Sequence, residues 1–259
     1  MANPTLTKYF DKPTAGAASA DATLQAAPPG ALISDGTTME IGGTAAKTGF
    51  LLLLVLAAGA WGWSQTDPAA GETGLPWFLW VALIGVVVLA VITAFQPKLA
   101  RITGPLYALT MGAFVGSLSR AYSTFYDGIV LQAILATAAV FVVMLVLFTT
   151  RTIKVTHRLR STVIGATFGI ALFYLASIVL SLFGADMPFV WDSGFFGIAF
   201  SVFVVGVAAF NLLLDFDLIE RGVAAGAPKY MEWYGAFGLM VTIIWMYLEI
   251  LRLLAKLRE

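Results

Sequence analysis

The chain has 259 residues, of which 59% are hydrophobic and 12% are charged, and its formal net charge is zero at pH 7. The charged share is about half that of a typical soluble domain, so the composition excludes an ordinary soluble protein. The sequence contains no cysteine, which excludes disulfides, thiolate catalysis and cysteine metal sites.

The first 46 residues are rich in Ala, Gly, Pro, Ser and Thr. They carry too little apolar surface to form a core, so residues 1–46 are predicted to be a flexible N-terminal tail. Residues 47–259 are the predicted transmembrane domain. Because a membrane helix needs about 20 apolar residues, and period-two alternation typical of a barrel is absent, we expect an all-α integral membrane protein.

Seven apolar stretches predict a bundle of seven transmembrane helices. They lie at about Thr48–Ser64, Leu75–Phe95, Ile102–Tyr122, Ile129–Thr149, Thr162–Phe183, Phe195–Asp217 and Trp233–Leu254.

The loops between these stretches differ in charge. Basic residues concentrate in the loops after helices two, four and six: Lys98, Arg101, Arg151, Lys154, Arg158, Arg160, Arg221 and Lys229. The loops after helices one and five carry acids instead: Asp67, Glu72, Asp186 and Asp192. By the positive-inside rule, the N-terminus is predicted to be cytoplasmic and the C-terminus to be outside. Three basic residues near the C-terminus oppose that orientation: Arg252, Lys256 and Arg258.

Pairs of glycines four residues apart occur in two of the predicted helices, at Gly112 and Gly116 and at Gly165 and Gly169. Such pairs let helix backbones approach closely. Packing within the chain is the favoured interpretation, and a dimer face is the alternative.

Acidic residues interrupt the last two apolar stretches. Twenty uncharged residues end at Asp215 and Asp217, and Glu249 follows sixteen uncharged residues of the last stretch. Carboxylates at membrane depth are costly and often mark ion or proton paths. A solvated helix end is the alternative for Asp215, and an interfacial pair with Arg252 is the alternative for Glu249.

Asn211 precedes Asp215 by four residues and therefore shares its helix face. Amide and carboxylate oxygens suit hard cations such as Ca²⁺. Asp217 points about 200° away around the helix axis and would face another neighbour or the interface. Asn211, Asp215, Asp217 and Glu249 are thus the candidate ion or proton site.

Enzyme signatures are missing from the sequence. There is no HExxH or GxSxG motif, and the single histidine, His157, lies in a basic loop. We therefore expect no enzymatic activity, no resident cofactor and no nucleic-acid partner, with the lipid bilayer as the main environment.

Five segments, in chain order, resemble those of the Bax inhibitor-1 family. They are Pro105–Gly116, Ile129–Phe141, Thr152–Thr156, Leu214–Ile219 and Tyr247–Leu251. The likeness covers roughly residues 105 to 258, and the chain is similar to an actinobacterial-type branch of that family.

This resemblance implies a seven-helix bundle with the last helix at its centre, in a bacterial plasma (inner) membrane. It also implies a pH-sensitive Ca²⁺ leak, in which carboxylates on helices six and seven share a proton and gate the pore. By position in the matching segments, those carboxylates are Asp215 and Glu249, with Asn211 and Asp217 in support. Ca²⁺ or protons would be transient ligands, with Asp215 and Glu249 as the Ca²⁺ ligands.

The positions of Asp215 and Glu249 along their helices bear on whether the two acids can pair. Glu249 lies about 24 Å along its helix from Trp233, whereas helix six is expected to extend only about 11 Å past Asp215, at 1.5 Å per residue. Straight helices would then place the two acids about 10–15 Å apart in depth. If so, Asp215 needs another partner, such as Glu232 or a basic loop residue.

A second functional hypothesis is a non-transporting membrane scaffold that regulates a membrane protease or a stress response. The tail and the basic loop from Arg151 to Arg160 motivate it. A proton-coupled transporter is less favoured, because the two halves of the chain show no inverted repeat.

Overall fold

The computed structural model describes residues 37–66, 78–183 and 193–259. Its helices are α1 (Ile41–Gln65), α2 (Phe78–Phe95), α3 (Ala100–Phe125), α4 (Ile129–Thr149), α5 (His157–Leu182), α6 (Phe195–Ala224) and α7 (Met231–Lys256), with a short 3₁₀ turn at Pro97–Leu99. Within these described ranges all regular structure is helical, apart from one isolated β-bridge between Thr38 and Pro228. The all-α prediction is confirmed for this part of the chain.

Five of the helices, α1, α4, α5, α6 and α7, are long and apolar enough to cross a membrane. The remaining two helices form a pair, Val81–Phe95 and Pro97–Phe125, that bends by 119° at its break and passes the same test only as a pair. By length and composition the described residues therefore hold five spans, or six if the bent pair is one span. The protein is a multi-pass membrane protein, and the count of seven spans remains a prediction.

Two helices, α1 and α6, extend furthest beyond their predicted apolar stretches. Helix α1 begins at Ile41, so the end of the predicted tail is helical. Helix α6 continues to Ala224, beyond the apolar stretch that ends at Asp217, as the expected extension past Asp215 implied. After α6 the chain reverses through Gly226, which has a φ of 63° in the left-handed region that glycine tolerates. Residues 1–36 of the predicted tail and the acidic loops with Asp67, Glu72, Asp186 and Asp192 lie outside the described residues.

Contacts along the helices define the two ends of the bundle. The backbone N–H of Met39 donates to the carbonyl of Ala227, so the start of α1 lies beside the α6–α7 connection. At the opposite end the Arg258 side chain donates to the Asp127 carbonyl and to Gln132. We call the first of these the Met39 end. The orientation of either end across the membrane remains a prediction.

Helices α1 and α3 pack with their backbones in close contact. A Cβ built on Gly112 would lie 2.5 Å from the carbonyl oxygen of Val55, and one built on Gly116 would overlap the carbonyl of Gly59. Only glycine permits this approach, as expected for small residues at membrane helix interfaces. Internal packing is therefore the role of the Gly112–Gly116 pair.

The second glycine pair has different surroundings. A Cβ on Gly165 or Gly169 would meet no atom within 4 Å among the described neighbours of α5. These two glycines therefore do not mediate helix packing within the described part of the chain.

Helix α7 packs against α6, α1, α4 and α3. It contributes to two apolar clusters. One joins it to α4 and α6 and includes Ile129, Leu212, Leu213, Met246 and Leu251. The other joins it to α1 and α3 and includes Leu51, Tyr107, Ala108 and Met240. The contact between α7 and α6 contains Asp215, one of the candidate site residues.

Candidate functional site

Asp215 lies where α6 packs on α7, and we call this contact the α6–α7 seam. Its Oδ2 accepts a hydrogen bond of 2.6 Å from the Thr242 hydroxyl. Its Oδ1 lies 3.5 Å from the position of a Cβ on Gly238, one turn earlier on α7. A side chain at Gly238 would therefore be in van der Waals contact with this carboxylate. Asp215 itself is half-buried.

The other acids of α6 and α7 all form ion pairs. Asp217 and Glu220 pair with arginines, Glu232 pairs with a lysine, and Glu249 pairs with an arginine. Among the described residues no Lys or Arg pairs with Asp215. Protonation of Asp215 would thus remove a negative charge without breaking a salt bridge, which distinguishes it from its neighbours.

Glu249 belongs to a different cluster, between α5 and α7. The Tyr174 hydroxyl lies 3.1 Å from each of its carboxylate oxygens. Arg252 pairs with Glu249 at 3.3 Å, as the sequence suggested, and donates to the Tyr174 oxygen at 2.6 Å. Glu249 is only 2% exposed. This carboxylate is therefore held by a cation and a phenol.

The structure does not bring Asp215 and Glu249 together. Asp215 binds Thr242, and Glu249 follows Thr242 by seven residues, which is about 10 Å along a helix. Strong coupling between two charges acts over roughly 4–6 Å. The described residues contain no group of three or more His, Asp or Glu that could hold a metal ion. The two acids therefore have separate hydrogen-bond partners at different depths along α7, and a direct site formed by both remains a prediction.

Glu232, the other partner considered for Asp215, is also engaged elsewhere. Its carboxylate is completely buried, forms an ion pair with Lys47 of α1, and accepts the backbone N–H of Glu40 at 2.9 Å. Glu232 thus joins α7 to the start of α1.

The two remaining site candidates connect α6 to α5. The Asn211 amide donates to the Thr167 hydroxyl at 2.8 Å and to its own helix at the Val207 carbonyl. Asp217 is buried, accepts from Arg221 at 2.9 Å, and lies 3.7 Å from Arg160. Both side chains therefore stabilise the α5–α6 contact.

A cavity of about 340 Å³ opens between the C-terminal ends of α3 and α7. Its walls include Tyr122, Tyr126, Arg252 and Lys256. Arg252 connects this cavity to the Glu249 cluster. The cavity lies beside Arg252, near the C-terminal end of α7, whereas Asp215 contacts α7 at Thr242. Asp215 and Glu249 therefore have different surroundings.

Comparison with known proteins identifies the family. The model of the family described as Bax inhibitor 1 like matches residues 3–259, which is almost the whole chain. The chain belongs to the Bax inhibitor 1 like family. No curated protein and no solved structure matches it. The family resemblance seen in the sequence is confirmed, whereas the actinobacterial-type branch remains a prediction.

The hydroxyl partners of Asp215 and Glu249 were not predicted from the sequence of this Bax inhibitor 1 like protein, although the Arg252 partner of Glu249 was. Thr242 and Tyr174 bind Asp215 and Glu249, yet hydroxyl residues are common in apolar helices and neither stands in a motif. The one available signal was Gly238, four residues before Thr242, because a small residue beside a polar one can mark a close helix contact.

Proposed function

We propose that this protein is a pH-sensitive cation leak channel that conducts Ca²⁺, and that Asp215 is its proton-sensing residue. The observation that carries this proposal is the position of Asp215 in the α6–α7 seam, bound by Thr242 and paired with no cation among the described residues. Membership of the Bax inhibitor 1 like family supports the assignment to a membrane channel or regulator.

The hydrogen bond between the Thr242 hydroxyl and the Asp215 carboxyl can form in both protonation states of Asp215. An ionised carboxylate only accepts hydrogen bonds, whereas a protonated carboxyl also donates, and the Thr242 hydroxyl can do either. The contact can therefore persist while the charge at the seam changes. Because a charge at membrane depth attracts water and cations, protonation alters both the packing of α6 on α7 and the attraction for Ca²⁺.

Glu249 has a separate role in this proposal. Its pairing with Arg252 and Tyr174 balances its charge and joins α5 to α7. We therefore replace the shared-proton scheme that the family resemblance implied with a single sensing acid, Asp215, and a structural acid, Glu249.

The proposal is tested by Ca²⁺ uptake into proteoliposomes over a range of pH. Asp215→Asn keeps the shape of the side chain but stays neutral, so we expect uptake to lose its pH dependence and to remain at the level that the wild type shows at its acidic limit. Glu220→Gln is the matched control, because Glu220 forms a solvent-accessible pair with Arg151 beyond the seam.

Two results would contradict the proposal. If Asp215→Asn inserts and folds but retains the pH response, Asp215 is not the sensor. If the wild type shows no uptake at any pH, the non-transporting scaffold becomes the better account, and a stable partner captured by the full-length protein would support it.

A further inference from the structure

Residues Thr38–Glu40 cross the α6–α7 connection at the Met39 end, and we call this segment the strap. Thr38 forms an antiparallel bridge with Pro228. The Met39 N–H donates to the Ala227 carbonyl at 2.7 Å, and the Glu40 N–H donates to Glu232 Oε1 at 2.9 Å. Three consecutive residues of the strap are thus fixed to the α6–α7 connection and to the first turn of α7.

The side chain of Met39 fills a gap between α6 and α7. It is 4% exposed. Its Sδ lies 2.9 Å from the position of a Cβ on Gly222 of α6, and its Cε lies 3.5 Å from that of a Cβ on Gly235 of α7. Glycine at both positions creates the space that the methionine occupies, and the flexible thioether suits such an irregular gap.

This gap adjoins the layer that contains Asp215. Gly235 packs beside Ile219, and Gly238 packs beside Asp215. Gly235 and Gly238 are three residues apart, about 4.5 Å along α7. Along α7, Met39 is therefore closer than Asp215 to the end of the bundle at which α1 begins.

A buried ion pair holds the base of the strap. Glu232 is completely buried and pairs with Lys47, whose ammonium also lies 5.5 Å from the ring centre of Trp233. Gly43 of α1 leaves the space for this carboxylate, because a Cβ there would overlap its oxygens. Losing one partner would leave an uncompensated buried charge, so the Glu232–Lys47 pair acts as a strong latch.

We propose that the strap is a closure of the α6–α7 seam: Met39 seals Asp215 from water at the Met39 end, and release of the Glu232–Lys47 latch opens that path. The inference deepens the proposed function, on which its physiological meaning rests, by assigning what controls access to Asp215. Access to water is measurable whether or not any ion is conducted.

The absence of cysteine makes this test direct. Gly238→Cys introduces a single thiol beside Asp215, and a water-soluble methanethiosulfonate reagent reports its exposure in the full-length protein in nanodiscs. In an otherwise unchanged chain we expect slow labelling. Adding Met39→Ala should raise the labelling rate about tenfold or more, since truncating a buried methionine leaves an unfilled gap. Met39→Leu is the volume-matched control and should leave the rate unchanged.

A second opening variant guards against misfolding of the first. Lys47→Met keeps an apolar stem against Trp233 but removes the charge that pairs with Glu232, so it should also raise the rate. If the Gly238→Cys thiol labels as fast as a thiol at an exposed position, or if neither folded opening variant changes its rate, the inference is overturned.

Combining this assay with Ca²⁺ uptake separates the two proposals. Faster labelling without uptake at any pH supports the strap and contradicts the channel. Uptake that depends on Asp215 together with unchanged labelling contradicts the strap and supports the channel.

A disulfide that fixes the strap in its closed position provides the converse experiment. Partners in an antiparallel bridge have Cα atoms about 4.5–5.5 Å apart, within the range that a disulfide spans. In a variant with Thr38→Cys and Pro228→Cys, oxidation should therefore form a disulfide that holds the strap closed and lowers Ca²⁺ uptake. Reduction of the disulfide should restore the uptake. Equal uptake in the oxidised and reduced forms would contradict a gating role for the strap.

Discussion

Substitution of Gly116 by alanine should disrupt the contact between α1 and α3. The added Cβ would overlap the backbone carbonyl of Gly59, which cannot rotate away as a side chain could. Overpacking typically costs about 1–3 kcal/mol, and an immovable backbone atom places Gly116→Ala at the upper end. Replacing a helical glycine by alanine returns up to about 1 kcal/mol through helix propensity. We expect a net loss of about 2 kcal/mol in the free energy of unfolding.

The matched control is Gly169→Ala. Gly169 also lies four residues after another glycine in an apolar helix, but its Cβ would meet nothing within 4 Å among the described residues. Alanine there should stabilise the protein by about 0.5–1 kcal/mol. Unfolding by SDS in mixed micelles, followed by circular dichroism, measures both variants. Equal stability of the two variants would refute the assignment of Gly116 to a close backbone contact.

Three further substitutions test the polar contacts, each by the same unfolding measurement. Glu232→Ala leaves Lys47 without its partner, and we expect a loss of about 3–5 kcal/mol, as for a broken buried ion pair; a loss below about 1 kcal/mol, typical of surface pairs, would contradict the latch. Thr242→Val removes the hydroxyl that binds Asp215 and should cost about 1.5–3 kcal/mol, the range for hydrogen bonds to charged groups. Tyr174→Phe should destabilise the α5–α7 contact by about 1–3 kcal/mol, and an unchanged midpoint would show that Arg252 alone holds that cluster.

Hydropathy located the helices because the length of an apolar stretch matches the thickness of the hydrocarbon core of the bilayer. The bounds of α4, Ile129–Thr149, were predicted without error, since its apolar run is uninterrupted. The start of α1 was placed seven residues too late. Lys47 lies in the first turns of α1, and it is accommodated there by pairing with Glu232 of α7, a tertiary contact that local sequence does not reveal.

The acids were found because charge is rare in an apolar stretch, but their partners depend on how the helices align. A shift of one turn between α6 and α7 would move Asp215 away from Thr242, and no sequence pattern fixes that alignment. Counting residues predicted a depth difference between Asp215 and Glu249, which agrees with their separate contacts. The strap was missed because Thr38–Glu40 was assigned to the tail, which carries no apolar pattern.

In the proposed mechanism Asp215 senses pH and Glu249 is structural. The most direct measurement compares the pH profiles of Ca²⁺ uptake for Asp215→Asn, Glu249→Gln and the double variant in proteoliposomes. We expect that Glu249→Gln keeps the pH response, whereas Asp215→Asn and the double variant lose it. Loss of the response in both single variants, with no further change in the double variant, would show a coupled pair of acids and contradict the account.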